Sequence, residues 1–377
     1  MKDLKIPFYK FESSREAHSN VSDALDGEDI DHVELLEEEF AAYVGAEYAL
    51  ATSHGTSALH LAMLALDLKR GDKVLCSVNA HPSVPEVVRH FDAEPVFVDI
   101  EEGSYNINIE KLESYLEKNE SKKLKAVIIT HIGGVSIDLE RVYALAKTHD
   151  VKIVEDASDA LGATYKGEKI GATGADIVCF NFSSHLKKNI CNGGMLVTNS
   201  SEIITRAKLL ANHAISRDED ASLEYIYDVV DIGNDYSISP LNAAYIRAQI
   251  QEQDKNITRQ RAIAKAYNEG LEGVAHVKLP LDDSEENPYS LYIIKIDKNR
   301  DSFALELQEM GIGTGLHYIP LHLMSYYKAK YSLRVNDFPV ALRSFQQILS
   351  LPIYPSMSDK DVQSVISAIK KIAKTRV

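Results

Sequence analysis

Short β-branched and apolar runs, each bounded by Gly or polar residues and separated by helical repeats, constrain this chain more than any other feature. Runs of that kind fit strands covered on both faces. The clearest lie between Val151 and Asn199, where Val151–Glu155 and Asp176–Phe182 read as buried strands. Upstream, Tyr48–Thr52, Lys73–Ser77, Pro95–Ile100 and Ala126–His131 read the same way. Helical spacings separate them. Val33, Leu36, Phe40 and Val44 share one face of a helix ending at Gly45, and an apolar helix runs from about Thr56 to Leu68. Pro85–Phe91 is helical, and Leu139, Val142, Tyr143 and Ala146 line a further helix face. Strand, helix, strand in repetition predicts an α/β fold: a largely parallel sheet with helices on both faces.

The pattern changes after Ser239, where a helical stretch runs to Leu271 and should bridge to a second domain. Ala275 to Val377 reads as α+β, with a strand at Ser290–Ile296, a helix at Ser302–Met310 and helices from Phe338 and Ser358. A chain of 377 residues has room for both parts. We place them at 1–250, large, and 251–377, small. Lys and Arg total 41 against 56 Asp and Glu, a formal charge of −15, which argues against nucleic-acid or anionic-membrane surfaces. The scattered Cys76, Cys179 and Cys191 have no metal-ligand spacing, and the N-terminus has no secretory pattern, so no disulfide, zinc site or membrane span is expected and the cytoplasm is the expected compartment.

In sheets of this kind ligands collect at the carboxyl ends of the strands. One strand there ends in an acid, Asp156, and the next runs into a loop rich in Ser, Lys and Gly, Ser183–Asn192. A carboxylate for a pyridinium nitrogen, a lysine for a Schiff base and Ser/Gly for a phosphate are what pyridoxal 5'-phosphate needs. Gly55, Thr56 and Ser57 open the apolar helix, where free backbone amides suit an anion.

Several stretches together resemble the DegT/DnrJ/EryC/StrS sugar aminotransferases: GTSALHLAMLALDLKRGDKV (Gly55–Val74), AEPVFVDIE (Ala93–Glu101), VEDASDALGATYKGEKIG (Val154–Gly171), SHLKKNI (Ser184–Ile190), GGMLVTN (Gly193–Asn199), GIGTGLHYIPLH (Gly311–His322) and NDFPVA (Asn336–Ala341). The resemblance implies the type I aminotransferase fold, with a mostly parallel seven-stranded sheet in the large domain and a smaller α+β C-terminal domain. It also implies transfer of an amino group, usually from glutamate, to a keto carbon of a nucleotide-linked deoxysugar. The assembly it implies is a homodimer whose active sites lie at the subunit interface.

Residue by residue, the resemblance makes Asp156 the pyridine acid and Gly55, Thr56 and Ser57 the phosphate turn. His81 takes the place of the aromatic over the cofactor ring, and His317 and Tyr318 lie in the segment near the sugar. The lysine motif, S-F-H-x-x-K-N-I in relatives, fits Ser183 to Ile190 if two residues are inserted before it and two deleted after it. That reading makes Lys188 the Schiff-base lysine, Ser183 a phosphate ligand and His185 a substrate-side residue. Lys187 is the alternative. An ungapped reading instead puts Leu186 in the lysine column and Asn181 in the serine column. Relatives with histidine at the lysine are sugar dehydratases, which keeps that reading open beside a non-catalytic member. Asp159 stands where relatives carry Gln or His near the phenolic oxygen, and Asn192 where they carry Glu. Asn234, beside Asp235, falls in the segment whose Asn reaches the neighbouring subunit's phosphate.

Overall fold

The computed structural model describes residues 4–10, 12–27, 30–183, 191–217, 225–281 and 284–376. Its central sheet has seven strands, in the order Tyr48–Thr52, Gly194–Thr198, Ile177–Asn181, Lys152–Asp156, Leu124–Thr130, Lys73–Ser77 and Glu94–Val98. The last five named pair in parallel, as the alternation predicts. Gly194–Thr198 is the exception: it runs antiparallel to both neighbours, and strand–helix alternation does not announce it.

Successive residues of a strand point to opposite faces, and the core divides accordingly. Val127, Ile129, Ile153 and Val178 pack on one side with Leu36, Phe40, Leu112 and Val142. Ala126, Ile128, Val154 and Cys179 pack on the other with Leu59, Met63, Val84 and Val87. The same alternation puts Thr130, Asp156 and Asn181 on the second face, under the helix Gly55–Ala65, and turns Glu155 to the first.

Local chemistry sets the helix ends. Asp31 caps His32–Val44 by accepting from Val33 N (2.9 Å) and Glu34 N (3.0 Å). Gly45 ends that helix at φ 79°, a conformation for which glycine lacks the steric penalty of other residues. The helical stretch expected as one from Ser239 is two helices, Pro240–Gln251 and Gln253–Leu271, interrupted at Glu252.

A third apolar cluster, including Tyr267, Tyr292, Phe303, Leu351 and Ile369, fills the C-terminal part. It lies beside an antiparallel sheet of Val277–Lys278, Tyr292–Ile296 and Ile348–Leu351. The segment after Gly311 returns to the large sheet: Leu321 N donates to Val78 O (2.8 Å), and Tyr318 N donates to Asn79 Oδ1 (3.2 Å).

Candidate active site

At the carboxyl edge of the sheet a cavity of about 70 Å³ is lined by Gly55, Thr56, Leu59, His81, Ser83, Thr130, Asp156, Ser158, Asp159, Asn181 and Tyr318. Six of the residues singled out from sequence therefore meet in one place: Gly55, Thr56, His81, Asp156, Asp159 and Tyr318. A larger cavity of about 230 Å³ shares Ser158, Asp159 and Asn181 with it and is lined also by Ser183, Phe8, Tyr245 and Gln253.

One end of the small cavity is built by close approach. A Cβ on Gly55 would lie 2.5 Å from Asn181 Cβ, and one on Gly194 would lie 2.3 Å from His54 O. Only glycine lets the helix start sit so tightly on the strand ends. Asn181 Oδ1 accepts from Gly55 N (3.4 Å) and Ser183 N (3.1 Å), which fixes the turn. Ser183 Oγ is buried and has no hydrogen-bond partner among the described residues. An unpaired buried hydroxyl beside amides at a helix start fits a phosphate.

The other end is electrostatic. Asp156 is 3% exposed, and its Oδ1 accepts from Ser158 Oγ (2.5 Å) and Ser158 N (3.2 Å). Burial, with Asp159 nearby, pushes its carboxyl above the ordinary range, while the Ser158 hydrogen bonds and His81 pull the other way. An acid in that position favours a cationic partner such as a protonated pyridine nitrogen. His81 stands over the cavity with Ser83 N donating to its Nδ1 (3.2 Å) and Ser83 Oγ 2.8 Å from the same atom. Its ring lies 6.2 Å from that of Tyr318. Burial, then Asp159 and Asp156, hold the Tyr318 phenol well above its ordinary pKa. Asp159 turns Oδ2 to the backbone of the next turn, accepting from Gly133 N (3.2 Å). The residues present thus fit pyridoxal phosphate.

The remaining residues stand elsewhere. Ser57 Oγ lies 2.9 Å from Ser53 Oγ, one residue beyond the lining. His317 is buried outside both cavities, stacked on Phe8, with Nδ1 2.9 Å from Ser350 Oγ. Asn234 is on the exposed surface and accepts from Asp235 N (2.9 Å). Lys188, Lys187, Leu186 and His185 lie outside the described residues. Sequence reading passed over Thr130, Ser158 and Ser83. Thr130 ends a strand, Ser158 follows one by two residues, and Ser83 opens the helix Ser83–Arg89.

Residues 13–370 match the model of the DegT/DnrJ/EryC1/StrS aminotransferase family. The chain belongs to that family. It is 35% identical over 349 residues to the protein MJ1066 of Methanocaldococcus jannaschii, covering 89% of each chain. With the spore coat polysaccharide biosynthesis protein SpsC of Bacillus subtilis it shares 33% identity over 355 residues, covering 91% of this chain and 90% of SpsC. Among solved structures, S. venezuelae DesV in complex with a ketimine intermediate is 28% identical, with a TM-score of 0.88 over 99% of this chain and 100% of DesV. The chain is thus an enzyme, a pyridoxal-phosphate-dependent sugar aminotransferase with the type I fold.

Proposed function

We propose that the chain moves an amino group from glutamate to a keto carbon of a nucleotide-linked deoxysugar. The observation that supports this reading most is the meeting of the Gly55 helix start, His81 and buried Asp156 in one cavity at the sheet's carboxyl edge. Pyridoxal phosphate, when bound, supplies an electron sink for the donor's α-carbon. Asp156 keeps the ring nitrogen protonated: its burial makes a lone negative charge costly, and a cation beside it relieves that cost. Backbone amides at Gly55 and Thr56, with the hydroxyls of Ser57 and Ser183, hold the phosphate. His81 covers one face of the ring. Lys188 carries the cofactor and moves the proton between donor and cofactor. His185 and Tyr318 serve the sugar side.

The working assembly is a homodimer in the cytoplasm, with 1–250 and 251–377 as its large and small domains and Asn234 reaching the neighbouring subunit's phosphate. Tyr225, Ile226, Tyr227, Val229, Val230 and Ile232 support it. All are large apolar residues more than half exposed, close to one another in sequence, and a second copy of the chain would cover them. The three cysteines are free and buried, which suits a reducing compartment. No helix among the described residues is long and apolar enough to cross a membrane.

The test takes the two half-reactions in turn. L-Glutamate added to the pyridoxal phosphate-loaded protein should yield 2-oxoglutarate and convert the bound cofactor to its amine form. A nucleotide-linked keto sugar should then restore the first absorbance and gain an amine, seen as a mass change. Sugar dehydration without 2-oxoglutarate would assign the dehydratase activity instead, and no reaction of either kind would point to a non-catalytic member.

A further inference from the structure

The small cavity holds a buried hydroxyl that satisfies no other group among the described residues. Thr130 ends the strand Leu124–Thr130, is 6% exposed and lines the cavity, yet its Oγ1 is buried with no hydrogen-bond partner among the described residues. Its Cα is in register with Asp156 on the adjacent parallel strand. Neighbouring strands lie about 4.8 Å apart, so the two side chains stand side by side on the face beneath the Gly55–Ala65 helix.

The strand order says which side of Asp156 this is. Ile177–Asn181, Lys152–Asp156 and Leu124–Thr130 are consecutive in the sheet, so Asn181 and Thr130 flank Asp156 on opposite sides. The anion end of the cavity, with Gly55, lies on the Asn181 side. A pyridoxal ring carries its phosphate arm on carbon 5 and its phenolic oxygen on carbon 3, one on each side of the line through the ring nitrogen. A ring with its nitrogen at Asp156 and its arm toward Asn181 therefore turns its 3-oxygen toward Thr130. The other carboxyl group on this edge, Asp159, accepts from Gly133 N (3.2 Å) through Oδ2.

We propose that Thr130 Oγ1 donates a hydrogen bond to the cofactor's 3-oxygen, making Thr130 a positioning and tuning residue of this site. The assignment rests on the cofactor reading above. The donor stabilises the deprotonated ring oxygen, holds the ring against rotation about its phosphate arm and gives the orphaned hydroxyl its partner.

Thr130→Val and Thr130→Ser separate this role from a structural one. Valine keeps the shape, and removing an unpartnered buried hydroxyl costs the fold little. Each variant is loaded with pyridoxal phosphate, and the absorbance of the bound chromophore is titrated against pH. The other titratable groups facing the cavity, His81, Asp156, Asp159 and Tyr318, are the same throughout. Loss of the donor disfavours the deprotonated oxygen, so the Val midpoint should rise by about one pH unit while Ser stays near the wild-type value. A Val variant that binds the cofactor with an unmoved midpoint overturns the assignment. A wild-type chain that takes up no pyridoxal phosphate overturns the cofactor reading itself.

Discussion

At its Gly55 end the small cavity offers backbone N–H groups and no space for an added Cβ, with the buried Ser183 hydroxyl lining the adjoining larger cavity. At its Asp156 end the small cavity holds a carboxylate that burial makes uncomfortable in the absence of a cation. The first end is made by geometry and the second by electrostatics, so the same kind of substitution should do different things to each. A change at the geometric end should weaken cofactor binding. At the electrostatic end it should spare much of the binding and remove turnover. The difference also explains where stability is surrendered: close packing at Gly55 costs the fold nothing, whereas an ionised Asp156 does.

Asp156→Asn is expected to have the largest effect. Turnover should fall on the order of 10³-fold, because the amide cannot hold the ring nitrogen charged, while cofactor binding weakens far less. Normal turnover would show that the wrong acid is assigned. The same variant should melt higher than wild type when both are cofactor-free at neutral pH. The sign follows from the raised carboxyl: the folded state binds its proton more tightly than the unfolded chain. The cofactor-free protein therefore loses stability as pH rises from the ordinary 3.8 through the raised value, and Asn abolishes that loss. Thermal melts across pH, with and without cofactor, check it.

Gly55→Ala comes next. Its Cβ would lie 2.5 Å from Asn181 Cβ, so the helix start must move away from the strand ends. Pyridoxal phosphate affinity, read by absorbance titration, should drop by about tenfold to a hundredfold. Unchanged affinity would break the contrast between the two ends. Ser183→Ala should be milder, about fivefold in affinity, with no loss of cofactor-free stability, since the hydroxyl it removes has no partner among the described residues. Asn181→Ala should combine an affinity loss with lower stability, because Asn181 also bonds Gly55 N and Ser183 N. Asp159→Asn should be smallest, within about threefold in kcat, because the amide oxygen can still accept from Gly133 N.

The two ends were also unequally legible before the structure. Asp156 follows from a strand pattern and a motif that agree, and the Gly55 turn from a helix start beside a short strand. The parallel sheet was legible for a similar reason: runs such as Val127–Ile129 are apolar on both faces, which only a doubly covered strand requires. Gly194–Thr198 was harder, because its direction is a property of the connection and not of its residues. Thr130 and Ser158 were invisible, since a lone Thr or Ser at a strand end carries no periodicity. Only register with Asp156 and a buried hydroxyl with no partner among the described residues mark Thr130, and only its hydrogen bonds to Asp156 Oδ1 mark Ser158. His317 matched a motif, yet it is engaged by Ser350 and Phe8. Position in a conserved-looking string does not tell a packed imidazole from one facing a ligand.

Chemical trapping tests the Schiff-base lysine most directly. Protein incubated with pyridoxal phosphate is reduced with borohydride, digested and mapped by peptide mass. A stable pyridoxyl label on Lys188 is expected. A label on Lys187 moves the assignment by one residue, and a protein labelled at neither contradicts the proposed Schiff-base chemistry.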